Sequence, residues 1–502
     1  MIKNKSELRE ISPARVWLES LAAGGEMSFL KRIILEAIAL LLGYFEEMIG
    51  ELFYVSAPLN KDWQMLSPAA FKKILEIGEA GFFKSMNFHR TLPDEPRAVI
   101  ATARFGELVF KSDGNKIEPE GWSGADLESP EKAAMRCAGE AVERTCLYVY
   151  HDKDLISGSF KELESRGAIN PREFAAFSAS QLKNEKFSRC RFDENSRFGW
   201  AAGKSLITGR KVLAPAQLIY LSYKYKDQEP TIRQRISTGA AAYTDWEEAL
   251  YRGICEVIER DAWMIHWLNE LPPPRIDLEN SPDEDLRKLT QIFRRKNLEL
   301  HVLDITTDIP LPTFCAVIID RSGVGPAVHV STHTGFDRKK IIIESLSQGV
   351  KGWWGRRRRL RDKPDIEAIK GKAETISSMR ERGLFWAGTD MIPRIEFMLK
   401  GLKKDFISIK EPPTSKERLD KTLEYFKKNE LEVIAVDITI PEALLAGFRA
   451  AMILIPKLQP LHLNENLVAL GVKRLYDVPV KLGYFPKPKK ESELNQIPHP
   501  HI

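Results

Sequence analysis

The stretch Ala249–Asp261, A-L-Y-R-G-I-C-E-V-I-E-R-D, decides how the rest of the chain is read. A helix turns about 100° per residue, so Arg252, Glu256 and Glu259 fall on one face within roughly 60° of arc. Arg260 follows directly. The same spelling, R-x-x-x-E-x-x-E-R, occurs earlier as Arg136, Glu140, Glu143 and Arg144. A single copy would read as a solvated face with i, i+3 and i, i+4 ion pairs. Two copies with one spacing, each set among small and apolar residues, point to a composite site. Paired carboxylates suit a divalent cation such as Mg2+, and arginines beside them suit phosphate.

The chain has 502 residues, 43% of them hydrophobic, which allows about three domains, or one large α/β domain with an appendage. A net charge of +5 is small for this length and gives no argument for nucleic acid as a partner. Cys137, Cys146, Cys190, Cys255 and Cys315 include no C-x-x-C pair, and their number is odd. That fits a reducing compartment and gives no structural zinc signature. Charges break up the N-terminus, and the apolar run Ile33–Phe45 is too short to span a bilayer, so no membrane association is expected and the cytoplasm is the default. Gly199–Ser205, G-W-A-A-G-K-S, has three residues between its glycines where a phosphate loop needs four. Neither G-x-G-x-x-G after a strand nor H-E-x-x-H is present.

Along the chain, Phe29, Ile33, Ile34, Ala37, Ile38, Leu41, Leu42 and Phe45 make a helical stripe, so residues 1–64 read as a helical segment with a face for the body or a partner. Ser67-Pro68 and Ser129-Pro130 are helix starts. Asn170-Pro171 predicts a helix over 172–184. Ala98–Ala103 and Leu108–Phe110 read as strands joined about Gly106, and Val212–Pro215 as another. Asp245 with Glu248 is a capping box for the second repeated helix. Leu298–Asp304 and Thr313–Asp320 have strand length. Asp337 opens a degenerate third copy, in which Glu344 and Gln348 fall where Arg252 and Glu256 fall. Lys351–Lys363 reads as a solvated basic helix end. Leu419–Asn429 is an amphipathic helix, Leu431–Asp437 and Ala450–Ile455 are strands, and the Pro- and Lys-rich tail Phe485–Ile502 is extended. Alternating strands and helices with few hairpin signals argue α/β or α+β.

Ser123–Arg144 (S-G-A-D-L-E-S-P-E-K-A-A-M-R-C-A-G-E-A-V-E-R) and Ser237–Ala262 resemble the two nucleotide-site blocks of YcaO-domain proteins. Leu271–Leu278, Asp304–Pro312, Val436–Pro441, Ile455–His462, Arg474–Pro479 and Leu494–Ile502 resemble further segments, in order, so the likeness runs from about Leu66 to the C-terminus. The terminal Pro-His-Pro points to the azoline-forming branch, the D-protein cyclodehydratases of thiazole/oxazole-modified peptide pathways. Tyr243 stands where the family has Gly, and the chain ends His501-Ile502 where a further Pro is common.

The resemblance implies a YcaO-type core of mixed sheets packed with helices over residues 65–484, and a tail, 485–502, that reaches the active site. It implies ATP- and Mg2+-dependent cyclodehydration of Cys, Ser or Thr residues in a ribosomal precursor peptide, by phosphorylation of an amide oxygen. Glu140, Glu143, Glu256 and Glu259 become Mg2+ ligands. Arg136, Arg144, Arg252, Arg260 and Gln348 become nucleotide contacts. His499 and the Ile502 carboxylate become groups that align or deprotonate substrate. A separate leader-binding partner resembling ubiquitin-activating enzymes, docking on residues 1–64 or the basic run, would supply peptide recognition, and a homodimer is allowed. The rival readings are a thioamide-forming relative and a non-catalytic ATP-binding accessory protein.

Overall fold

The computed structural model describes residues 66–111, 121–226, 228–360 and 366–501. The helical reading of residues 1–64 and the Ile502 candidate lie outside the described residues.

After a first helix, α1 (Pro68–Glu79), the chain runs three times from a strand, through a turn, into a capped helix. β3 (Trp122–Asp126) leads to α2 (Pro130–Tyr148), β7 (Ala240–Tyr243) to α3 (Trp246–Leu268), and β11 (Val328–Thr334) to α4 (Arg338–Leu360). The predicted caps hold. Ser129 Oγ accepts from Lys132 N at 3.2 Å, Asp245 from Glu248 N at 2.7 Å and Asp337 from Lys340 N at 2.9 Å. Only half of the second capping box forms, because the Glu248 carboxylate turns to Arg252 and Arg418 instead.

Each helix lies close on its strand because the residues between them are small. A Cβ added at Gly124 would sit 2.3 Å from both Ala133 O and Cys137 N, and one at Gly253 would sit 2.6 Å from Gly239 O. In the third unit Ser331 and Ser345 exchange hydroxyl-to-carbonyl bonds of 2.7 and 3.0 Å. This close approach accounts for Ala133, Ala134, Cys137, Ala138 and Ala141 along the buried face of α2.

The sheets are mixed but mostly antiparallel. β1 (Phe83–Arg90), β2 (Val99–Phe105) and β3 form one, in that order. The second has the order β11-β10-β9-β8-β12, with β8 (Arg275–Asp277), β9 (Leu298–Asp304), β10 (Thr313–Asp320) and β12 (Lys403–Asp405). Its β8–β12 pair is parallel. The third runs β4-β5-β13-β14-β7, with β6 off the edge of β5. Its further members are β4 (Ile156–Ser159), β5 (Arg197–Ser205), β6 (Lys211–Pro215), β13 (Ile434–Asp437) and β14 (Arg449–Leu454). The α+β reading is therefore the observed one. α3 is the central element, with Trp263, Met264, Ile265 and Trp267 fully buried.

Three local expectations fail. Leu108–Lys111 is a 3-10 turn, not a strand; Gly106 packs against Gly81 and Phe82, so β2 pairs backward with β1 instead of forward. Residues 172–184 form short 3-10 turns, Pro171–Phe174 and Gln181–Lys183, not an α-helix. The described part of the basic run is not a solvated end. Arg356 is buried, Arg357 pairs with Asp94 and Glu95, and Arg358 stacks on Trp354 with its charge 3.7 Å from the ring centroid.

Candidate active site

A backbone N–H at the start of the strand that precedes each repeated helix donates to that helix's first glutamate. Ser123 N reaches Glu140 Oε2 at 2.9 Å and Gly239 N reaches Glu256 Oε2 at 2.9 Å, both across 17 residues of sequence. The two copies are thus equivalent in space as well as in spelling. One carboxylate oxygen is fixed by this bond in each copy, and the other faces an arginine, Glu140 Oε1 at 4.0 Å from Arg144 and Glu256 Oε1 at 3.2 Å from Arg260.

The second glutamates complete the cluster. Burial pushes the Glu143 carboxyl up to about 8, with Arg144 opposing the rise and the carboxylates of Glu256 and Glu140 adding to it. Burial also raises Glu256, against the pull of Arg260 and Arg144. The charges of α2 and α3 are therefore within range of one another: Glu256 raises Glu143, and Arg144 lowers Glu256. Arg144 Nε lies 3.4 Å from Glu143 and 4.0 Å from Glu140, and Arg260 Nη2 lies 3.2 Å from Glu256 while Nη1 donates to Glu259. Glu259 also accepts from Thr332 Oγ1 at 2.6 Å. Among the described residues no three Asp, Glu, His or Cys side chains are drawn together tightly enough to hold a metal ion as they stand. Arginines sit between the carboxylates instead. Hard, mutually repelling carboxylate oxygens are the donor set that fits Mg2+, and the two interposed guanidinium groups suit phosphate.

The outer arginines are already engaged. Arg136 donates to Asp126 at 2.9 Å and Glu344 at 2.7 Å, and Arg252 donates to Glu248 at 2.8 Å. Arg136 thereby ties α2 to α4. Gln348 is half-buried one turn beyond Glu344. Lys351, one turn further, donates to Ser123 O at 3.3 Å and lowers the Glu143 carboxyl. Sequence reasoning placed Lys351 in a solvated run. Its signal was the spacing: Glu344, Gln348 and Lys351 repeat the i, i+4, i+7 pattern of Arg252, Glu256 and Glu259.

In the described part of the tail, it is His501 that meets the carboxylate helix, two residues beyond the expected His499. His499 is fully buried, with Nε2 2.6 Å from His462 O. His501 meets the carboxylate helix: its Nε2 lies 2.7 Å from Thr332 Oγ1 and 3.1 Å from Arg260 Nη1, and its backbone bridges Val330 of β11.

The family profile described as "YcaO cyclodehydratase, ATP- and Mg2+-binding" matches residues 127–459, and the chain belongs to this family. ATP and Mg2+ are its cofactors. An uncharacterized protein in the tfuA 3′ region of Rhizobium leguminosarum bv. trifolii is 33% identical over 179 residues, 33% of this chain and 42% of that one. An uncharacterized protein of Methanothermobacter thermautotrophicus is 26% identical over 159 residues, 31% of this chain and 41% of that one. The matched stretch is less than half the length of either relative. A heterocyclase solved in complex with substrate and cofactor has a similar fold, with TM-score 0.68 at 21% identity over 86% of this chain and 57% of that one. The heterocyclase TruD gives TM-score 0.58 at 20% identity, over 80% and 61% of the two chains. A YcaO protein from Methanopyrus kandleri bound with AMPPCP and Mg2+ gives TM-score 0.53 at 15% identity, over 77% and 88%. Among the described residues no helix is long and apolar enough to cross a membrane.

Proposed function

We propose that this chain is the peptide-activating enzyme of an azoline-forming pathway, converting Cys, Ser or Thr residues of a precursor peptide to thiazoline or oxazoline. The observation that carries the reading is the matching geometry of the two repeated helices, in which Ser123 N holds Glu140 and Gly239 N holds Glu256 at 2.9 Å each. ATP would supply the phosphoryl group: once the Cys, Ser or Thr side chain has added to the preceding carbonyl carbon, phosphorylation of the former amide oxygen, with ADP released, lets that oxygen leave as phosphate. Glu140, Glu143, Glu256 and Glu259 would hold Mg2+. Arg144 and Arg260 would bind phosphate oxygens once the cation satisfies the carboxylates they now neutralise. Arg136 and Arg252 act from behind, bracing the helices through Asp126, Glu344 and Glu248. The buried Thr332–His501 pair lines the edge of α3 at Glu259 and Arg260. A separate leader-binding partner would present the peptide.

Glu256→Gln is expected to abolish peptide-dependent ATP hydrolysis while leaving the circular dichroism spectrum unchanged; full turnover in that variant would remove the carboxylates from the site. The probe is a short Cys-, Ser- and Thr-rich peptide encoded beside the gene, read by mass spectrometry. Loss of one water per modified residue supports azoline formation. Replacement of oxygen by sulfur would support a thioamide-forming enzyme, and nucleotide binding with no change in peptide mass an accessory role.

A further inference from the structure

The last described residues are held carbonyl by carbonyl. Ile497 O accepts from Trp267 Nε1 at 3.0 Å, Pro498 O from Trp386 Nε1 at 2.8 Å, His499 O from Arg382 Nη1 at 3.0 Å, and Pro500 O from Arg356 Nη2 at 3.2 Å. All four donors come from buried side chains whose exposure ranges from 0 to 4%. The composition of the segment follows from this environment. A buried strand must satisfy both its acceptors and its donors. Here every acceptor has a side-chain partner, and Pro498 and Pro500 have no N–H to leave orphaned.

The two arginines do more than accept burial. Each spreads its guanidinium between the tail and a different wall. Arg356 donates to Val328 O of β11 at 3.2 Å as well as to Pro500 O. Arg382 donates to Leu463 O at 2.7 Å and to Glu465 Oε1 at 2.5 Å as well as to His499 O. A planar fork with fixed donor directions sets distance and register together, which a single ammonium does not. The residue directly beyond the Arg356 contact at Pro500 is His501, the tail's contact with Arg260 and Thr332.

We propose that Arg356 and Arg382 are positioning residues: their forks fix the register of the C-terminal segment and so hold His501 against the Arg260–Glu259 edge of the site. The inference rests on the function proposed above for that site. It gives a role to Arg356, the first of four consecutive arginines in a run that charge patterning assigns to solvent.

The test uses the full chain and two readouts. Hydrogen exchange, measured without nucleotide or peptide, follows the His501 amide and, as an internal control, α3. Arg356→Gln and Arg382→Gln are each expected to speed tail exchange about tenfold or more while α3 stays protected. In the peptide-dependent ATPase assay, kcat is expected to fall by a similar factor with KM for ATP nearly unchanged. Arg356→Lys and Arg382→Lys keep the charge without the fork and are expected to recover the fold fully but tail protection only in part. Unchanged tail exchange in the Gln variants would overturn the clamp. A loosened tail with wild-type kcat would overturn the positioning role, and so would Lys variants in which α3 loosens along with the tail. Because exchange is read without substrate, failure of the proposed chemistry leaves the clamp result standing.

Discussion

At the scale of single residues, spacing carried most of the information. Glu140, Glu143, Glu256 and Glu259 were legible because i, i+3 and i, i+4 fix a helical face whatever the surrounding fold. What each arginine does was not legible, because Arg136 takes its partners from Asp126 and from Glu344, which is 208 residues away. His499 and His501 could not be told apart either. They share a side of an extended segment, and only depth along it decides which one meets α3. The glycine of β3 that faces α2 is open to direct test. Gly124→Ala would set a methyl 2.3 Å from backbone atoms of α2, and is expected to cost about 1–3 kcal/mol of stability by urea unfolding. A variant as stable as the parent would show that α2 can move away from β3 without loss.

At the scale of elements, caps and strand lengths were readable, and the predicted bounds of β9 and β10 are the observed ones. Elements whose existence depends on a distant partner were missed. β1 has no strong period-two pattern of its own and is specified by pairing with β2. The third unit looked degenerate because Gln348 and Lys351 replace acids, yet its helix packs in the same relation to its strand and supplies Glu344 to Arg136. The far end of α3 is anchored by Asp261, which accepts from Arg474 at 2.7 Å; Arg474 in turn reaches Asp308 at 2.8 Å. Asp261 is fully buried, so Asp261→Asn leaves a guanidinium short of its counter-charge. The expected loss is about 3–5 kcal/mol, read as a lower unfolding midpoint. A change below about 1 kcal/mol would show that Asp308 alone suffices.

At the scale of the molecule, burial of neutral groups sets an acid limit. His266 is buried in α3 with Nδ1 donating to Ala262 O at 2.8 Å, and burial lowers its pKa from 6.5 to about 4. The unfolded chain takes up that proton first. Stability is therefore intact above pH 6.5 and is lost as pH falls from there toward 4, by about 3 kcal/mol from this group. Replacing it, as in His266→Asn, is expected to flatten part of the fall in urea midpoint between pH 7 and pH 4.5; an unchanged slope would assign the fall to other groups. The account as a whole depends on two acidic helix edges acting as one cation site. Calorimetric titration of the full chain with AMPPCP in excess Mg2+ tests this most directly. Glu143→Gln and Glu256→Gln, on opposite helices, are each expected to weaken binding about 10- to 100-fold. Wild-type affinity in either variant would contradict a site shared between α2 and α3.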